Sequence, residues 1–85
     1  MKIKTVILDD TSEDLSYLEK LLDEIEEVEL IQKFTNPEKT KEWLQKNKVD
    51  LLISDIEMKN LNGLELVEQL EKPPMVIFAS TYPNY

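Results

Sequence analysis

Four short apolar runs divide the chain: Ile3–Leu8, "VELIQKF" at 28–34, "VDLLISD" at 49–55, and "MVIFAS" at 75–80. Each is too short for a buried helix and the right length for a strand. The first and third are nearly continuous in apolar residues, the mark of strands covered on both faces. Stretches with helical periodicity lie between them, so the order reads β-α-β-α-β-α-β, a parallel sheet with crossover helices. Right-handed crossovers then require helices on both faces of the sheet.

The connecting segments carry their own signals. Thr11 or Ser12 caps a first helix whose first turn holds Glu13 and Asp14. Leu15, Leu18, Leu22 and Ile25, with Leu21 and Val28 alongside, form its apolar stripe. "VELIQKF" alternates and reads as a half-exposed edge strand. Asn36 followed by Pro37 opens a second helix anchored by Trp43 and Leu44. Asn62-Gly63 turns into a third helix, Leu64 to Glu71, with Leu64, Val67 and Leu70 at helical spacing, and Pro73-Pro74 ends it.

A chain of 85 residues supports one small domain, residues 1–85. Eighteen acids against 10 bases give a net charge of −8, which argues against a direct grip on nucleic acid and suits the capture of cations. Without cysteine or histidine, thiolate and imidazole metal sites are excluded, as are disulfides. Neither a signal peptide nor the roughly 18-residue apolar stretch of a membrane span is present, so a cytoplasmic protein is expected.

The acids are placed in a pattern. Asp9-Asp10 ends the first strand, Asp55 ends the third, and Ser80 follows the fourth. In open parallel sheets ligands bind at the carboxyl ends of the strands. Each residue has an ordinary alternative: Asp9-Asp10 as a helix cap, Asp55 as a turn former, Ser80 as a loop hydroxyl. Those alternatives do not account for the joint placement. Carboxylates brought that close repel unless a cation lies between them, and Mg²⁺ with its preference for hard oxygen ligands is the natural one.

"VILDD", "DLLISDIEM…NG" and "VIFAS-TYPNY" together resemble the response-regulator receiver domains of two-component signalling, over essentially the whole chain. The last of them is similar to the receivers that precede LytTR-type DNA-binding domains. The resemblance implies a CheY-like, flavodoxin-like doubly wound α/β sheet of strand order 2-1-3-4. It implies Asp55 as phosphoacceptor, supplied by a sensor histidine kinase, with Mg²⁺ held by Asp9, Asp10, Asp55 and the backbone carbonyl of Glu57. Ser80 would bond the phosphoryl group and Thr81 would govern access to it. The output, in a separate effector, would be transcription, and no separate substrate would be turned over.

Two departures stand out. Lys59 occupies the place of the family's proline after Met58, which implies a looser loop with Glu57 and Lys59 near the metal site. The family's last helix-strand-helix segment, with its phosphoryl-contacting lysine, has no counterpart here, so the resemblance implies a receiver lacking that segment. Strand 75–80 would then be an apolar edge, with the inward side of the first and third strands uncovered, and self-association as a homodimer or larger is expected through it. The rival readings are a pseudo-receiver or protein-interaction module that is never phosphorylated, and a haloacid-dehalogenase-like phosphatase. The second needs a D-x-D spacing that "DDTSED" does not supply cleanly. A single glycine, Gly63, leaves no phosphate-binding loop of the P-loop kind.

Overall fold

A computed structural model describes residues 2–56, 58 and 62–79. The elements follow in the order β1 (Ile3–Leu8), α1 (Ser12–Asp23), β2 (Val28–Phe34), α2 (Pro37–Lys46), β3 (Leu51–Ser54), α3 (Gly63–Glu68) and β4 (Met75–Phe78). All strand pairs are parallel and the sheet order is β2-β1-β3-β4, the doubly wound arrangement.

Alternation along the strands sends side chains to two separate cores. Ile7, Leu51 and Ile53 meet Leu15 and Leu22 of α1 on one face. Val6, Leu8 and Leu52 meet Leu66 of α3 on the other, with Trp43 and Leu44 of α2 and Val76 packed around them. The central strands β1 and β3 are therefore buried on both faces, as their continuous apolar runs require. Phe34 and Trp43 add a tilted ring contact at 5.9 Å between β2 and α2.

β2 is an edge strand, and its pairing slips between Thr5 and Val6: Thr5 faces Leu30 while Val6 faces Gln32. Ile31 is the extra residue, left exposed, so the bulge adjusts the alternation read from the sequence.

Two helices are shorter than their periodicity indicates. α1 stops at Asp23, placing Ile25 beyond it with 44% of its surface exposed, and Val28 begins β2. Asp23, Glu24, Glu26 and Glu27 crowd the helix's carboxyl end, where negative charge opposes the macrodipole. α3 covers Gly63–Glu68, and Leu70 N–H closes a tight turn onto the Val67 carbonyl at 3.1 Å. Pro73 and Pro74 hold the segment before them away from helix. The inward stripe of α3 is Gly63 and Leu66, continued by Leu70 in the turn beyond it, while Leu64 is 51% exposed. The stripe starts at the glycine because that residue must lie against the sheet.

The uncovered apolar surface also differs from expectation. α1 buries the inward side of β1 and β3, leaving Ile7 at 0% and Ile53 at 7% exposure. The edge expected at the fourth strand is exposed at Met75 and Ile77 of β4. Strand 75–80 is described as far as Ala79, whose N–H still bonds the Ser54 carbonyl.

Candidate functional site: an acidic triad at the carboxyl edge of the sheet

The register of β1 and β3 determines the site. Leu8 pairs with Ser54, so the residues that follow, Asp9 and Asp55, leave the sheet side by side. Backbone bonds hold both: Asp9 N–H donates to the Phe34 carbonyl and Asp55 N–H to the Leu8 carbonyl, each at 3.1 Å. Asp9 is 2% exposed, Asp55 is 8% exposed, and Asp10 is half-buried beside them. Each contributes a carboxylate oxygen to a group whose atoms all lie within 4.8 Å of one another.

Three acids share this small, partly buried space. Burial raises the pKa of Asp9 above the ordinary carboxylate value, opposed by hydrogen bonds from Thr11 and aided by the charges of Asp14 and Asp10. Oxygen donors without nitrogen or sulfur, partly desolvated and mutually repelling, fit a hard divalent cation such as Mg²⁺. The donor set offers nothing to a soft metal.

The loop after β3 is shaped by two small residues. Ser54, fully buried, donates its Oγ–H to the Asp55 carbonyl at 2.8 Å. Gly63 N–H donates to the Ile56 carbonyl at 2.8 Å, closing the loop onto the first turn of α3. A Cβ at Gly63 would stand 2.4 Å from the Asp55 carbonyl oxygen, so the chain passes here only without a side chain.

Of the residues singled out from the sequence, Asp9, Asp10 and Asp55 are brought together. Glu57, Lys59, Ser80 and Thr81 lie outside the described residues. Sequence reading missed Ser54, which passed for an ordinary strand residue, and the part played by Thr11. Thr11 was legible as a helix cap, but its N–H and Oγ both bond Asp9 Oδ1, at 3.0 and 3.1 Å. The spacing Thr11-x-x-Asp14 directly after an acid pair was the available signal.

Comparison with known proteins agrees with this fold. The family model described as "Response regulator receiver domain" matches residues 5–84. The sensory transduction protein LytT of Bacillus anthracis is 35% identical over 98% of this chain, and the transcriptional regulatory protein LytR of Staphylococcus aureus (strain N315) is 33% identical over the same share. The chain spans 35% of the length of each of these relatives. Among solved structures, the response regulatory domain of mrkE from Klebsiella pneumoniae superposes with a TM-score of 0.81 at 25% identity, covering 95% of this chain and 69% of that one. The response regulator domain of Thermotoga maritima CheB gives 0.80 at 26% identity, covering 92% and 60%. With the family model reaching across nearly every residue and the sheet wound in the same order, this chain belongs to the response-regulator receiver family of two-component signalling.

Proposed function

We propose that the chain is a phosphoacceptor receiver, modified on Asp55 by a partner sensor histidine kinase and coupled to an effector that controls transcription. The observation that carries this reading is the convergence of Asp9, Asp10 and Asp55 within 4.8 Å at the carboxyl ends of adjacent parallel strands. A carboxylate oxygen of Asp55 is the nucleophile. It forms a bond to phosphorus as the phosphorus–nitrogen bond to the kinase's phosphohistidine breaks, and the electron pair of that bond returns to the imidazole. The product is an acyl phosphate on Asp55.

Asp9, Asp10, Asp55 and the backbone carbonyl of Glu57 would hold Mg²⁺, which when bound offsets the negative charge of the phosphoryl oxygens. The buried backbone of β1 and β3 fixes where the three carboxylates stand. Ser54 and Gly63 fix the loop that leaves Asp55. Ser80 is assigned the hydroxyl that bonds the arriving phosphoryl group, and Thr81 the control of access. The transcriptional output draws on the LytR relative, whose name describes a transcriptional regulator. No described helix is long and apolar enough to cross a membrane, in keeping with a cytoplasmic setting.

The test is Mg²⁺-dependent labelling by acetyl phosphate, followed by intact mass, with beryllofluoride as a stable mimic. Wild type is expected to gain one phosphoryl group and Asp55→Asn none. Equal labelling of both proteins would assign the chemistry elsewhere. A folded wild type without any Mg²⁺ response would instead favour the pseudo-receiver.

A further inference from the structure

Thr11 occupies the N-cap of α1, in extended conformation, and its carbonyl accepts the first helical bond from Leu15 N–H at 3.1 Å. A threonine there ordinarily turns its hydroxyl onto the open N–H groups of the first turn, for about 1 kcal/mol of helix stability. Here its side chain makes no cap bond. The capping-box spacing Thr11-x-x-Asp14 is present, yet Thr11 N–H donates to Asp9 Oδ1 at 3.0 Å and Thr11 Oγ lies 3.1 Å from the same oxygen. Thr11 Oγ is also 2.7 Å from Asp14 Oδ2. A hydroxyl carries one proton, so Oγ serves one of these carboxylates at a time, and neither contact serves the helix.

We infer that Thr11 is a positioning residue for cation binding. Its N–H and hydroxyl anchor Asp9 Oδ1, fix the rotation of that carboxylate, and leave its second oxygen outside this anchoring. The inference rests on reading the acidic triad as a Mg²⁺ site. Asp9 is the triad member that most needs such support. It is 2% exposed and water has little access to orient it. Groups that orient a metal ligand from behind typically change affinity by about 10- to 100-fold when removed. Thr11 keeps its backbone N–H in any variant, so the side chain accounts for the lower end of that range.

The experiment is calorimetric titration of Mg²⁺ alone into the 85-residue chain, as wild type, Thr11→Val and Thr11→Ser, with thermal melts of each in chelator. Thr11→Val is expected to weaken Mg²⁺ roughly 10-fold, and its melt in chelator also falls, because the bond to the buried Asp9 carboxylate is lost although no cap bond is. Thr11→Ser, which restores the hydroxyl, is expected to bind within about threefold of wild type, well short of that loss. A plain capping role predicts a different split: a lower melt in chelator with unchanged Mg²⁺ affinity for Thr11→Val. That result overturns the inference, as does an equal loss in Thr11→Val and Thr11→Ser, because serine keeps the hydroxyl and the loss would then not come from it. Mg²⁺ binding by wild type with no Thr11→Val effect leaves the triad reading intact and removes only the role of Thr11. No binding by folded wild type removes both.

Discussion

Asp9 carries a cost that the rest of the fold sustains for the sake of the site. Its carboxylate is buried beside Asp10, Asp14 and Asp55, and burial raises its pKa above the ordinary value of 3.8. Below 3.8 the group is protonated both folded and unfolded and contributes nothing. As pH rises through the raised folded value, the folded state must ionise a desolvated acid, and stability is lost. Asp9→Asn is therefore expected to melt higher than wild type in chelator at neutral pH. The gap should shrink as pH is lowered towards 3.8, and calorimetry of both proteins across that range checks it. A gap that widened in acid would contradict the burial of Asp9. Adding Mg²⁺ should reverse the order of stability, because only wild type retains the full ligand set.

At the scale of elements, the site depends on how closely α3 approaches the end of β3. Gly63 opens that helix with its backbone against the Asp55 carbonyl, and a methyl group there meets oxygen at 2.4 Å. The neighbour is backbone, so it cannot swing aside, and either α3 or the loop after Asp55 must move. Gly63→Ala is expected to destabilise the protein by on the order of 2 kcal/mol, a typical cost of overpacking, and to lower its melting temperature by roughly 10 °C. Mg²⁺ affinity should fall with it, since the carbonyl that the methyl group meets belongs to Asp55, a triad member. An unchanged melt would show that the close approach is not maintained in solution. The capping residues were readable in kind but not in use. Asn36 accepts from Lys39 N–H at 3.0 Å, as an N-cap should, whereas Thr11 spends its hydroxyl on Asp9 and Asp14. Sequence spacing identifies a capping residue, and only the structure shows which nearby carboxylate takes its hydroxyl.

Across the whole molecule, β4 is the exposed edge that matters. It pairs with β3 on one side only, and Met75 and Ile77 stand 72% and 49% exposed on the face shared with α1. Open backbone groups beside apolar side chains favour pairing with another strand. The 85-residue chain is accordingly expected to self-associate as its concentration rises, and Ile77→Lys to return it to a monomer. Size-exclusion chromatography with light scattering measures this, and a clean wild-type monomer at high concentration would sink the expectation. β2, the other edge, holds Glu29, Gln32 and Lys33 outward and carries the bulge at Ile31, which protects it.

What the sequence determined by itself is the alternation of strand and helix, the burial of β1 and β3, and the candidacy of Asp9, Asp10 and Asp55. Local physics writes these directly: apolar runs, periodicity, and acids at the points where strands leave the core. Where α1 and α3 end, which side of α3 faces inward, and which strands stay uncovered were decided by the tertiary structure. Each depends on contacts between residues far apart in the chain, such as Gly63 against Asp55 or Leu22 over the sheet. The distances within the triad belong to the same class. Leu8 pairing with Ser54 sets them, and no spacing along the chain records that register.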